Sequence, residues 1–544
     1  MKLQATKTSP SSPSASSSAS FADLPPVGCM RPQNLCWTTV RQEYKALLEQ
    51  KPTLLQQEPF KCLKGFRPRL DNLKLLLNFI VQGAMQDDCK QLDGYPLVRL
   101  HSPTLKSCIH DYQKYVTYLQ MMGVIYVTAG YQSGKYSKGY TFREAYRTTF
   151  VPDLITDRKV LQRLQTLQRL QNREAEEVYP HLCRWFEGGL EINCRNATEH
   201  LNHLLEGRLQ HCSTSAQAQS LKIGYAGQHL LIAQIAGNYP RLYVDGAGNR
   251  FYSPLTNLKK DLRHFVTFRG QSLACVDVSC CQPFLIARLL EPSFYTTSSQ
   301  TSSATNDRIH LDDLPLHVQE RVVPLIPAIL QRLGGISSCN KPEGIDNEYS
   351  TKSFPLFQWL SNSTPPNTPP ICAGFSDAVD LSSVGQEVAQ FRQQVSSGQF
   401  YEHYQSIIET LGVQCPADRD SLKESVYSAI YSKNDGNSEA VEQKRRVFKA
   451  AFPAIFELMS LLKSNGHATL SVLLQSIEAQ IVLNRIGGRI SRERPDQPLF
   501  SIHDSLCVPV GHEAYLQRVM VEELERAVGL KPSVKVEVWG GGVP

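Results

Sequence analysis

Apolar and polar positions change period several times along the chain, and each change marks an element. From about residue 35 to 95 the period is helical, and Leu70-Asp71-Asn72-Leu73-Lys74-Leu75-Leu76-Leu77-Asn78-Phe79-Ile80 has an apolar face broad enough for a core position. A helix is predicted from Leu105 to Met122, followed by strands at Val124-Ile125-Tyr126-Val127 and Gly139-Tyr140-Thr141-Phe142. A helix with a two-stranded wing is the layout of a winged helix and equally of an ordinary α+β packing element. The turn Gly130-Tyr131-Gln132-Ser133-Gly134-Lys135 is not a phosphate-binding loop: its spacing is one residue short, and strands rather than a strand and a helix flank it.

Residues 156–236 return to a helical period, with Leu161, Leu164, Leu167 and Leu170 three apart and Arg and Gln between them. This segment reads as an arm gripping a duplex backbone or as a solvated connector. Arg241 to Tyr252 predicts a hairpin around a Gly-containing turn. Ser272 to Ser279 predicts a buried strand ending near a lone carboxylate, Asp277. Asp380 to Tyr404 and Ile455 to Lys463 read as helices, whereas 293–306 and 361–375, rich in Ser, Thr, Pro and Asn, read as surface loops. Near the C-terminus, Leu499 to Val510 predicts a strand, a tight turn carrying His503 and Asp504, and a return strand.

Two patterns carry chemistry. Asp277 and Asp504 at two strand ends can clamp divalent cations, because the sheet fixes each carboxylate and the turn leaves its oxygens free. The other reading of Asp504 is a structural turn residue. His503, Asp504 and Ser505 form no hydrolase relay, since consecutive residues of an extended segment point to alternating sides. The second pattern is Arg419, Lys423, Tyr427 and Tyr431, each four residues after the last. On a helix this spacing drifts by about 40° per step, so all four share one face. Two cations suit a triphosphate, and two rings suit a base or sugar. A solvated amphipathic helix is the alternative.

Composition narrows the class. A hydrophobic share of 41% and no apolar run near the roughly 18 residues of a membrane span predict a globular chain without a membrane segment. The net charge of +6 permits a nucleic-acid partner without requiring one. Fifteen Cys without a CxxC pair predict free thiols in a reducing compartment. Cys194, His200, His203, His211 and Cys212 match no common zinc spacing. Residues 1–25, rich in Ser, Pro and Ala, are expected to be disordered. They are poor in acids, as transit peptides are, but lack the arginines, so a cytoplasmic location is expected.

Taken in order, these residues resemble family A DNA polymerases. Gly248-Asn249-Arg250-Phe251-Tyr252-Ser253, Thr256-Asn257-Leu258, Arg263 and the Asp277 strand are similar to the approach to motif A. The Arg419 to Tyr431 segment is similar to motif B, and His503-Asp504-Ser505 to motif C. Gln475, within Leu474 to Ile481, falls where that family has a minor-groove contact. The resemblance covers roughly residues 240–544, less the two loops. It implies an α+β fold: a right-hand polymerase palm with an antiparallel sheet and helical fingers, a helical thumb-like arm, and a helix-rich N-terminal region. Palm at 241–292 and 466–544 and fingers at 293–465 are the implied divisions, and composition and period set a tail at 1–25, a helix-rich N-terminal domain at 26–155 with a possible winged helix, and the arm at 156–240 before them.

What the resemblance implies of function is template-directed nucleotidyl transfer with two Mg²⁺ ions on Asp277, Asp504 and the backbone carbonyl of Val278. Arg419, Lys423, Tyr427, Tyr431 and Gln282 would meet the incoming nucleotide, with Lys423 also donating a proton to pyrophosphate. Arg250, Asn257, Gln475 and His503 would meet the DNA primer-template. The expected protein is a monomeric DNA polymerase in a phage-like or mobile-element setting, without a proofreading exonuclease. Three positions depart from the family. Gln282 stands where its DNA polymerases carry the Glu that excludes a ribose 2′-hydroxyl, Ser432 follows Tyr431 where the family has Gly, and Ser505 ends motif C as in phage-type single-subunit RNA polymerases. RNA or primer synthesis, and a catalytically silent nucleic-acid-binding relative, are the alternatives.

Overall fold

The computed structural model describes residues 27–85, 90–128, 137–237, 240–296, 307–337, 381–412 and 418–540. The expected tail at 1–25, the Gly130–Lys135 turn, residues 297–306 and the loop at 361–375 lie outside the described residues. Helices predominate, and every sheet is antiparallel. Among the described residues no helix is long and apolar enough to cross a membrane. The chain forms two compact units, each discontinuous in sequence.

The first unit comprises residues 1–173, 193–239 and 257–262. Its centre is the helix Leu70–Gly83, whose Leu73, Leu76, Leu77 and Ile80 are buried as their helical spacing predicts. Polar residues on that helix are buried with partners. The Asp71 carboxylate accepts the backbone N–H groups of Thr156 at 2.6 Å and Asp157 at 2.5 Å, and Asn72 donates to the Tyr115 hydroxyl at 2.8 Å. The predicted wing exists: Ile125–Val127 pairs with Gly139–Phe142. It belongs to a four-stranded sheet with Tyr95–Arg99 and Lys90–Leu92, the second of which falls at the end of the stretch read as helical, residues 35–95. The single helix expected from Leu105 to Met122 is two, Ser102–Cys108 and Tyr112–Met121, divided at Asp111 in the left-handed conformation. A short Asp tolerates that conformation better than most side chains, which makes it a natural break. The helices Cys194–Gln210 and Ser215–Ala236 follow, the second opened by a reciprocal cap between Thr214 and Gln217.

The second unit comprises residues 174–192, 240–256 and 263–544. A six-stranded sheet runs Phe500–Ile502, Ser505–Pro509, Gln271–Val278, Val266–Phe268, Leu190–Ile192, with Val534–Val538 also paired to Gln271–Val278. The helix Glu513–Val528 packs on Gln271–Val278, Ser505–Pro509 and Val534–Val538, and the helix Cys281–Leu289 and the run from Thr469 to Glu493 pack against that helix. Within that run Gln480–Ile486 is a π-helical stretch, a wider turn that departs from the plain helix expected there. The remaining helices include Leu381–Ser397, Phe400–Thr410, Arg419–Tyr431, Glu439–Ala451 and Pro453–Leu462. Phe391, Phe400, Tyr404, Phe448 and Phe452 form their shared aromatic core.

The expectation of free thiols throughout is corrected. Cys275 and Cys507, directly opposite in the sheet, are joined as a disulfide, so the cysteines are not all free thiols. Spacing gave no sign of it, because the two lie 232 residues apart and only strand pairing makes them neighbours.

Candidate active site

Strand alternation aims the first carboxylate. In Gln271–Val278 the side chains of Val276 and Val278 are buried, so Asp277 between them emerges on the other face and is exposed. On one side this strand is paired with Ser505–Pro509, with Val276 opposite Leu506. The hairpin preceding that strand closes through His503 and Asp504, with Ile502 opposite Ser505 and His503 at φ +55°. A two-residue hairpin turn needs such a left-handed position, and the turn delivers Asp504 to the side of Asp277. Ser505 Oγ donates to Asp277 Oδ1 at 2.5 Å, tying residues 228 positions apart. The Ser505 hydroxyl thus serves Asp277 rather than a relay with His503.

A third carboxylate joins this pair. Glu478, on the helix Thr469–Ala479, is buried and receives Arg250 Nη2 at 2.8 Å and Gln282 Nε2 at 2.5 Å on the same oxygen, Oε2. Its other oxygen, and Oε1 of Gln282, are buried without a hydrogen-bond partner among the described residues. Burial works to lower the Arg250 pKa, but the Glu478 carboxylate outweighs it and holds the guanidinium above its ordinary value. Glu478 itself is pushed up by burial, against the pull of Arg250. Asp504 is raised well above the usual carboxylate range, first by burial of its carboxylate and then by the negative charges of Glu478 and Asp277. Three carboxylates and one arginine leave an excess of negative charge at this point.

The predicted helix Arg419–Tyr431 is present, capped by Asp418 accepting the Ser421 N–H at 2.8 Å. Lys423, Tyr427 and Tyr431 line one cavity of about 540 Å³, and the two rings lie 5.8 Å apart. Partial burial raises the Tyr427 phenol, and the charges of Asp504 and Asp277 raise it further, which places this face of the helix near the carboxylates. Tyr431 likewise lies within electrostatic reach of Arg250 and Glu478. Arg419 sits outside the cavity lining, paired with Glu402 at 3.5 Å and stacked over Tyr401 at 5.7 Å. Lys423 is hydrogen-bonded to Asp420 at 3.2 Å.

The remaining predicted residues divide. Gln475 is half-buried against Gly248, in the turn that leads to Arg250. His503 packs edge-on against Tyr252 at 5.9 Å. Gln282 is buried rather than open to a ligand, with its amide committed to Glu478. Asn257 belongs to the first unit and is exposed, and its carbonyl accepts from Gln228 Nε2 at 3.0 Å. Glu478 was missed. The signal was available, since it shares a helix face with Leu474, Ile481 and Val482, where a polar residue is buried.

The donor set can be tested against a divalent cation. Asp277 and Asp504 are hard oxygen donors, and the crowding of negative charge on Asp504 is what a cation would relieve. Among the described residues no three His, Cys, Asp or Glu side chains group as a ready-made metal site. Two carboxylates are a donor set compatible with an ion such as Mg²⁺, which keeps waters and takes phosphate oxygens besides one or two carboxylates. The cysteines and histidines at 194–212 form no such group either.

No protein-family model matches the chain, and no curated protein matches it. Among solved structures, the POL domain of Pol1 from M. smegmatis, in complex with DNA primer-template and dNTP, is similar at a TM-score of 0.27 and 12% sequence identity, over 71% of this chain and 73% of that chain. At so low a score the likeness defines no shared architecture.

Proposed function

We propose that the protein is a template-directed nucleic-acid polymerase, in the first instance a DNA-directed DNA polymerase. The observation that carries this reading is the meeting of Asp277 and Asp504 at one end of neighbouring strands, with the Lys423, Tyr427 and Tyr431 face of a helix near them. A hydrolase acting on a phosphoester would need the carboxylates but not the cation-and-ring helix face. A binding module would need the helix face but not paired carboxylates with unfavourable charge.

In this reading Asp277 and Asp504, with the Val278 carbonyl, would hold two Mg²⁺ ions, which would supply charge stabilisation at the attacking and leaving oxygens. Lys423 and Arg419 hold the triphosphate, and Lys423 gives a proton to the departing pyrophosphate. Tyr427 and Tyr431 supply flat surfaces for base and sugar. Arg250, His503 and Gln475 face the primer-template, and the Ser505 hydroxyl orients the Asp277 carboxylate. RNA synthesis is the second reading, favoured by Gln282, which brings no carboxylate of its own to the sugar-excluding position and commits its amide to Glu478.

Extension of a labelled primer on a DNA template with Mg²⁺, run with dNTPs and with rNTPs in parallel, tests both. Extension with dNTPs that Asp277→Asn lowers by at least about 10³-fold is the expected result. Extension only with rNTPs moves the assignment to RNA synthesis. Binding of primer-template without extension by either set leaves a silent binding protein.

A further inference from the structure

The helix Arg419–Tyr431 ends in an unusual way. The last carbonyls of any helix lack partners inside it, and most find them in water or a glycine-based cap. Here two buried basic side chains from other elements gather at that end: Lys463 takes the Ala429 carbonyl of the last turn and the carbonyl of the cap residue Ser432, and Arg445 holds the Ser432 side chain and the chain just beyond it. Lys463 Nζ donates to the carbonyls of Ala429 at 2.8 Å and Ser432 at 3.2 Å, with only 3% of Lys463 exposed. Arg445, on the helix Glu439–Ala451 and equally buried, donates from Nη1 to the Ser432 hydroxyl at 2.9 Å and from Nη2 to the Asn434 carbonyl at 3.3 Å. The guanidinium is itself fixed by Glu442 at 2.9 Å and by the Phe456 ring, 5.0 Å from its centroid. Asn434 continues the tie to the Ser460 carbonyl at 2.8 Å.

Positive charge at the carbonyl end of a helix is favourable in itself. Burying two basic groups there is costly, however: burial, with the Arg445 charge beside it, brings the Lys463 ammonium down to about 7, and a solvated end would satisfy the same carbonyls at less expense in desolvation. What the arrangement adds is a fixed position for the last turn. Tyr431 is the residue before Ser432, and Tyr427 lies one turn back on the exposed face. The hydroxyl of Ser432 is a necessary part, because a glycine there would leave Arg445 Nη1 without that acceptor.

We propose that Lys463, Arg445 and Ser432 are positioning residues that clamp the carbonyl end of this helix, and that the clamp sets affinity for the incoming nucleoside triphosphate by holding Tyr427 and Tyr431 in register. The inference rests on the polymerase reading. It predicts that loosening the clamp weakens nucleotide binding while the chemical step, which depends on the carboxylates, keeps its rate.

Single-nucleotide incorporation by the full chain tests it, with amide hydrogen exchange of residues 419–432 as a second readout. Ser432→Ala is expected to raise KM for the nucleotide by about three- to tenfold with kcat within twofold, and Ser432→Thr to restore it. Lys463→Met is expected to raise KM by more and to speed exchange in the last turn. Should Lys463→Met fail to fold, the Ser432 pair decides alone. An unchanged KM in Ser432→Ala, or a fall in kcat without a change in KM, overturns the clamp while leaving the polymerase reading intact. A wild-type chain that extends no primer overturns the polymerase reading, and the inference with it.

Discussion

At the scale of single residues, the carboxylate pair is held together at a cost. Burial and the charges of Glu478 and Asp277 raise the Asp504 pKa, so the folded chain binds a proton there more readily than the unfolded chain does. The sign follows from linkage: the contribution of such a group is fully present below the ordinary carboxylate pKa and is lost as pH rises through the raised one. Asp504→Asn removes that loss. The variant should therefore resist urea better than wild type at pH 8, by about 1 to 3 kcal/mol, with the gap closing near pH 4, in the absence of divalent cations. A variant less stable than wild type at pH 8 would mean that the aspartate is stabilised as an anion by the fold. The two aspartates were legible in the sequence because each ends an apolar strand, where a lone carboxylate has no packing role. Glu478 is legible only when its helix face is traced through Leu474, Ile481 and Val482, because one buried acid in a helix otherwise resembles a surface residue.

At the scale of elements, local period identified the hairpin and the helix of the site, since each is built from contiguous residues. Long-range approach is a different matter. Gly248 lies in a turn whose Asp245 carboxylate accepts the N–H groups of Ala247, Gly248 and Arg250 at 2.9, 2.6 and 2.9 Å. A Cβ on Gly248 would stand 2.6 Å from Cβ of Gln475. Neither atom can swing aside, because each is rooted in backbone. Gly248→Ala should then cost about 1 to 3 kcal/mol, measured by urea unfolding, and displace Arg250 from Glu478. The sequence reading placed Gly248 in a turn and Gln475 on a helix, but nothing in either segment says that the two touch. A cost below about 0.5 kcal/mol would show that the helix has room to retreat.

At the scale of the whole molecule, the chain crosses between its two units several times, and no composition shift marks the crossings. Residues 156–240 read as one helical stretch, yet Glu174–Ile192 belongs to the unit that carries the carboxylates. The reason is pairing. Leu190–Ile192 forms the sheet edge beside Val266–Phe268, and Phe186 packs at 5.3 Å against Phe500, on the hairpin of Asp504. Tyr179 donates to the Asn249 carbonyl at 2.6 Å, and His181 meets the Leu483 carbonyl at 2.9 Å. The resemblance at residues 240–544 invites a fragment starting at 240, but that fragment lacks all four contacts. It would expose a strand edge and the aromatic faces of Phe251 and Phe500, a surface prone to association. The fragment is expected to bind a hydrophobic dye and to unfold at lower urea than the corresponding unit in the full chain. Adding residues 174–192 as a separate peptide should reverse both effects, because the peptide restores the strand and Phe186 without any covalent link. A fragment that is dye-silent and unchanged by the peptide would mean that the sheet is complete without its edge.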